Sequence, residues 1–138
     1  MADPVSLAMP RLATEEGFRA YPYKDNKGNL TQGYGCNLSA GWSKGLAGNV
    51  LQYQLMQVYV AVQRYPWWHQ DEPVRGSVIL DLGMNDGLGG LLHFVNMLAA
   101  YGKKDWKTAS DELLNSLAAK QSPDRYHALA QLLLSGAT

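Results

Sequence analysis

The sequence predicts an α+β fold: a small N-terminal lobe with a helix and a β-hairpin, then a larger all-helical lobe, with a cleft between them. Three observations carry this. Up to about residue 48 the chain is rich in Gly, Tyr, Asn and Lys, a composition suited to turns and short strands. From about residue 49 onward, apolar residues recur at helical spacing and are punctuated by Pro and Gly. No low-complexity tract or solenoid-period repeat interrupts either regime, so the chain reads as one domain, about 1–48 and 49–138 being its two lobes.

A first helix is expected from Met9 to Glu15, with Pro10 in its first turn, where a missing N–H costs nothing, and Gly17 as its stop. Two strands follow, Ala20–Tyr23 and Asn29–Tyr34, around the turn Lys24-Asp25-Asn26-Lys27-Gly28, whose Asn and Gly supply positive φ. Leu30, Gln32 and Tyr34 alternate with Thr31 and Gly33. A long helix is expected from Asn49 to Tyr65, with Leu51, Leu55, Val58 and Val62 on one face and Pro66 at its end. The next starts after Asp71-Glu72-Pro73 and closes at Asn85-Asp86-Gly87. Gly87-Leu88-Gly89-Gly90 lacks the Lys and the preceding strand of a phosphate loop, and reads as a connector into a helix from Leu91 to Tyr101. Asp105 caps a helix carrying Trp106, Ala109, Leu113 and Leu117 on one side. Ser122-Pro123-Asp124 opens the last helix and Gly136 closes it.

Composition narrows the function. At 138 residues, 46% hydrophobic and 17% charged, the chain belongs with folded globular proteins, and no run of eighteen apolar residues is present. Twelve basic and twelve acidic side chains sum to zero, which argues against nucleic acid as partner. Met1-Ala2-Asp3-Pro4-Val5 has no basic region leading into an apolar run, so no secretory signal peptide is expected. The single Cys36 excludes an internal disulfide and a cysteine-built zinc site; it is expected to be a small buried strand residue rather than a reactive thiol. His69, His93 and His127 form no metal-ligand spacing, so neither metal nor cofactor is expected.

The chemistry-bearing stretch runs from Glu16-Gly17-Phe18 to Gly33-Tyr34-Gly35. Glu16 alone would be a solvated helix-terminal acid. Asp25 alone would be a turn Asp bonding its own backbone, and Thr31 an ordinary strand residue. Together they place two carboxylates and a hydroxyl around one hairpin, the parts needed to protonate a leaving oxygen while steering a water. A glutamate partly withdrawn from water at a lobe junction would hold its proton for that task.

This stretch resembles the catalytic segment of phage-type (T4-like) lysozymes, the muramidases of glycoside hydrolase family 24, in which Glu precedes Gly, Asp lies on the hairpin turn, and Thr is followed by Gly-x-Gly. Asp81-Leu82-Gly83-Met84-Asn85-Asp86-Gly87 resembles the end of that family's central helix, and Ser122-Pro123-Asp124-Arg125 the start of its late helix. The resemblance implies a lysozyme-like fold. Glu16 would be the general acid, Asp25 and Thr31 would hold the attacking water, and Arg125 would orient Glu16. Leu30, Gln32, Met84 and Asn85 would bind substrate. A water held between carboxylate and sugar implies inversion. Two departures stand out: the ion pair of a histidine with an aspartate of the long helix is absent, since Cys36 takes the histidine's position and no acidic residue lies from Val50 to Gln63, and the zero net charge is lower than expected for an enzyme that works on anionic walls.

The resemblance implies bacterial peptidoglycan as substrate, with hydrolysis between N-acetylmuramic acid and N-acetylglucosamine. It also implies a protein made in a bacterial host's cytoplasm, without stable membrane association, that reaches the wall once a holin breaches the membrane; a monomer is expected because the apolar faces can all be buried within one helical lobe. Two other readings stand beside it: a lytic transglycosylase, which needs a single Glu, and a non-catalytic wall-binding domain on the same scaffold. Among the tryptophans, Trp42 is a candidate sugar platform, whereas Trp67-Trp68 reads as an inter-helix plug and Trp106 as core.

Overall fold

Asp3 starts the first helix. Its carboxylate accepts from the Val5 and Ser6 amides at 2.9 and 3.0 Å and from the Ser6 hydroxyl at 2.6 Å. In this computed structural model, which describes residues 3–138, α1 therefore runs Pro4–Glu16 rather than starting at Met9. Asp3-Pro4 is itself a cap followed by a first-turn proline, and the helix runs on through the interior Pro10, which forgoes one backbone bond and crowds the carbonyl of the preceding turn. Met1 and Ala2, the start of the stretch read for a leader, lie outside the described residues.

Gly17 ends α1, its amide bonding the Ala13 carbonyl at 3.0 Å. Three antiparallel strands follow in the order β1 (Arg19–Lys24), β2 (Leu30–Gly33) and β3 (Cys36–Asn37). Tyr23 pairs with Thr31 and Lys24 with Leu30, while Thr31 pairs across β2 with Asn37. The β1–β2 turn is closed by Asp25 N–H to Asn29 O at 2.9 Å and Gly28 N–H to Asp25 O at 3.0 Å. Gly28 alone in that turn has positive φ; Asn26, expected to share the role, does not. β3 was not foreseen, since two residues carry no period. Cys36 lies on it but is exposed, which overturns the expected burial: β3 is an edge strand, and both of its residues are exposed.

The chain divides into two compact units at the Asn49–Val50 boundary. Helix α2 (Lys44–Val62) runs across it, beginning earlier than Asn49 and stopping short of Pro66, where turns closed by Tyr65 and Trp68 amides take over. The position before a proline disfavours helix, which explains the early stop.

In the second unit, α3 (Pro73–Leu92) bends at Gly87, where φ is 73° and ψ 167°. The expected stop there is thus a kink, and the glycine-rich corner is helical, because Leu88, Leu91 and Leu92 give it a face to bury. Helix α4 (Val95–Gly102) starts after a His93-Phe94 link, later than the expected Leu91. Helix α5 (Trp106–Leu114) is capped by Asp105, which accepts from Thr108 N–H at 3.2 Å. Ser116 caps a separate short helix, α6 (Leu117–Gln121), so Leu117 does not continue the Trp106-Ala109-Leu113 face and is exposed. Helix α7 (Pro123–Ser135) ends on left-handed Gly136.

The core lies in this unit. Ile79, Leu82, Leu91, Leu113, Tyr126 and Leu133 are all but sealed from solvent. Val58 of α2 packs so closely at Gly83 that a Cβ there would sit 2.5 Å from its methyl. Tyr101 is fully buried, and desolvation raises its phenol to about 12, so it stays neutral. Around it sit Trp67, His69 and Trp106, with ring centroids 5.4–6.2 Å from Tyr101. Trp68 is edge-on to Tyr59, its ring over Gly76. Arg75 crosses the Trp106 ring at 4.2 Å, pairs with Glu72 at 2.8 Å, and donates to the Leu133 and Leu134 carbonyls, both at 2.8 Å. It thereby satisfies acceptors at the end of α7 that helix geometry leaves open.

Candidate active site

Glu16 is the last residue of α1 and is exposed. That exposure differs from the partial withdrawal from water expected for it. Its carboxylate rests against the backbone of Gly35. A Cβ at Gly35 would come within 2.8 Å of Glu16 Oε2, and φ there is +79°, so both space and conformation call for glycine.

Asp25 begins the hairpin turn. One oxygen accepts from the Lys27 and Asn29 amides at 2.9 and 2.8 Å, and the other from Asn29 Nδ2 at 3.3 Å. The Asn29 amide is the main reason its carboxyl lies below the usual value; some withdrawal from water opposes the shift and the Lys27 amide adds to it. The Asx turn set beside the catalytic reading in the sequence is therefore real, and it also fixes the carboxylate in place.

Thr31 follows on β2. Its side chain is buried, 4% exposed, and its hydroxyl donates to the Asn29 carbonyl at 3.0 Å. Asn29 thus ties Asp25 to Thr31, using its amide and side chain for one and its carbonyl for the other. Sequence reasoning took Asn29 only as a strand start. An Asp followed four positions later by Asn across a glycine was the signal available.

Leu30 and Gln32 flank Thr31 on the opposite strand face. Leu30 is exposed, 41%, and its amide donates to Ser39 Oγ at 3.2 Å. Gln32 Nε2 donates to the Ala20 carbonyl at 2.8 Å and lines a hollow of about 370 Å³ with Phe18, Leu38 and Trp42.

In the second unit, Met84, Asn85 and Arg125 line one groove of about 600 Å³, together with Leu51, Leu55, Leu80 and Asp81. Asn85 Nδ2 donates to Asp86 at 3.3 Å. Arg125 lies in the first turn of α7, and its Nη2 donates to Asp81 of α3. Asp81 is a partner that the sequence reading did not name for Arg125. The next residue along α7, Tyr126, donates its hydroxyl to Asp86 Oδ2 at 3.2 Å. Desolvation, then the Asp86 charge, raises the Tyr126 phenol above its ordinary value.

Asp25 and Thr31 are thus brought together through Asn29, and Met84, Asn85 and Arg125 along one groove. Among the described residues no three His, Cys, Asp or Glu side chains gather to hold a metal, and no helix is long and apolar enough to cross a membrane. Compared with known proteins, the chain matches no protein-family model and no curated protein.

Proposed function

We propose that the protein is a muramidase: a glycoside hydrolase that cleaves the β-1,4 bond between N-acetylmuramic acid and N-acetylglucosamine in peptidoglycan. The observation that carries this reading is the first-unit constellation. An exposed Glu16 carboxyl seated on Gly35 stands in the same unit as Asp25 and a buried Thr31 hydroxyl joined through Asn29.

In this reading Glu16 protonates the glycosidic oxygen. Asp25, held ionised by backbone amides, orients the water and receives its proton as attack develops; a carboxylate of lowered basicity suits orientation better than prior deprotonation. Thr31 fixes the water's second contact. With a water between Asp25 and the anomeric carbon, the product anomer is inverted. Arg125 orients Glu16, and Leu30, Gln32, Met84 and Asn85 contact the glycan. The finer architecture, two lobes facing across a substrate cleft in a lysozyme-like arrangement similar to glycoside hydrolase family 24, belongs to the same proposal. So does the setting: an endolysin-type monomer in a bacterial host that meets the wall after a holin-type breach.

The test is to digest purified peptidoglycan with the wild type and with Glu16→Gln, and to weigh the fragments. Reducing muramic ends from the wild type alone are expected. Fragments lighter by one water carry 1,6-anhydro ends and would replace hydrolysis with transglycosylation. Wall binding without release by either protein would make the chain a binding module.

A further inference from the structure

The second unit holds a hollow of about 300 Å³ that none of the residues assigned to chemistry or substrate lines. Its apolar wall comes from Leu55 and Met56 of α2 and from Pro73 and Leu80 of α3. Trp68 and Tyr59 complete it, and Trp68 is fixed from three sides. The Trp68 ring sits on Gly76, where a Cβ would come within 2.9 Å of it. Tyr59 meets it edge-on with ring centroids 6.0 Å apart, and its indole N–H donates to Gln70 Oε1 at 3.0 Å. Gln70 Nε2 in turn donates to the Tyr59 hydroxyl. One amide thus ties both rings, so a ligand meets aromatic surface that is already ordered. A plug between helices, the role expected of Trp68, needs the seat on Gly76 but not the open volume beside the ring.

The hydrogen-bonding groups left over decide what the hollow suits. Gln70 keeps one N–H, Tyr59 keeps its hydroxyl proton, and the exposed Gln52 amide bonds nothing else among the described residues. Ser77 Oγ spends its proton on the Val74 carbonyl at 2.6 Å and remains an acceptor. His69 Nε2 donates to the Gly102 carbonyl at 2.9 Å, which leaves Nδ1 as an acceptor on the neutral ring. The charged side chain of the lining, Glu72, is already matched by Arg75 at 2.8 Å. Donors and acceptors therefore surround an apolar, aromatic wall with no uncompensated charge. A free ion gains no partner there, and a pure hydrocarbon would leave the polar groups unused. A neutral ring with one apolar face and hydroxyl and amide groups at its edge uses both. The volume lies at the low end of ligand pockets, roughly 300–1,000 Å³, which suits a single ring.

We infer that this hollow is a carbohydrate-binding site that takes one N-acetylated sugar. The sugar's C–H face lies on Trp68, its acetyl methyl against Leu55 and Leu80, and its hydroxyls on Gln52 and Gln70. The site adjoins the groove of Met84 and Asn85, sharing Leu55, Ser77 and Leu80 with it, so a glycan lying in that groove can place a further ring here. Sugar binding is argued from the lining alone; the choice of an N-acetylated sugar rests on the muramidase reading.

The experiment titrates the wild type with N-acetylglucosamine and follows side-chain N–H signals by nuclear magnetic resonance, with the Trp68 indole assigned as the signal lost in Trp68→Phe. The Trp68 indole and the Gln52 and Gln70 amides should shift and saturate together, with a Kd on the order of 1 mM. Glucose, which lacks the acetamide, should bind about tenfold more weakly. Trp68→Ala should weaken binding at least about tenfold. Gln52→Ala, at an exposed side chain whose removal leaves the fold intact, should weaken it about three- to tenfold. A Trp68 signal unmoved at on the order of tens of millimolar sugar would overturn the site. So would equal affinity for glucose, an equal response to cyclohexanol, or unchanged affinity in Gln52→Ala. The readout is binding and stands apart from turnover. A wild type that releases no peptidoglycan fragments while Trp68 still responds loses the muramidase reading and keeps this site; fragments released with Trp68 unmoved overturn this site alone.

Discussion

The two units are ordered by different forces. In the first, among the described residues, the single buried side chain is Thr31, and order comes from hydrogen bonds: the Asp3 cap, the Asp25 turn, Asn29 and the Gly35 seat. In the second, a contiguous set of sealed apolar side chains from α2 to α7 makes one core. The difference teaches where substitutions should register. Side chains that hold the first unit's shape are largely those assigned to the chemistry, so changes there should strike activity. Changes in the second unit's core should strike stability first.

The sharpest way to break that division is Glu16→Gln. It keeps volume and removes the proton, so activity should fall by about 10²–10⁴-fold, the contribution typical of a positioned acid. Thermal unfolding should be unchanged, because Glu16 is exposed. More than a few per cent of residual turnover would mean that another group delivers the proton. Next in size is Leu82→Ala. Leu82 is fully buried, and truncation there should cost about 2–5 kcal/mol in urea unfolding, while turnover per folded molecule stays at the wild-type level. A cost under about 1 kcal/mol would show that α3 does not organise the core.

Thr31→Val sits between the two regimes and sharpens the contrast. It is nearly isosteric, yet it removes the bond to the Asn29 carbonyl, worth about 1 kcal/mol. In the proposed mechanism it also removes one contact to the water. Activity should fall at least tenfold with only that small loss of stability. A stable Thr31→Val with full turnover would return Thr31 to simple strand packing.

What could be read in the sequence follows the same division. The α+β class was legible because each unit announces itself through a different period and composition. Helix ends were legible where a single strong signal acts, as at Gly17, Ser122-Pro123 and Gly136. They were misread where two signals compete. Asp3-Pro4 overrode Pro10, Ser116 split a helix whose apolar face ran on to Leu117, and three leucines kept Gly87-Gly90 helical. Glu16, Asp25 and Thr31 were singled out by their spacing. Asn29's role had a local signal, an Asp four positions before it across a glycine, that went unused, whereas Gly35's contact with Glu16 and the Asp81–Arg125 pair depend on three-dimensional approach, which no local pattern encodes.

The smallest expected effect, and the most specific to the first unit, is the acid response of the hairpin. The Asp25 carboxyl lies below its ordinary value because the ionised form accepts the Asn29 and Lys27 amides. A group whose folded value is depressed stabilises the fold fully above its unfolded value, about 3.9 for Asp, and loses that contribution as pH falls through the folded value. Protection factors of the Asn29 and Lys27 amides, which correct for the intrinsic pH dependence of exchange, should therefore be flat above about pH 5 and fall relative to those of the second unit as pH drops below about 4. Amides of α3 and α7 should show no such step, being sealed by apolar packing rather than by a titrating acceptor. In Asp25→Asn the hairpin amides should exchange faster at neutral pH and lose the acid step, because the side chain no longer titrates. If the step survives in Asp25→Asn, another acid holds the turn, and the carboxylate assigned to steer the water is not the one that orders it.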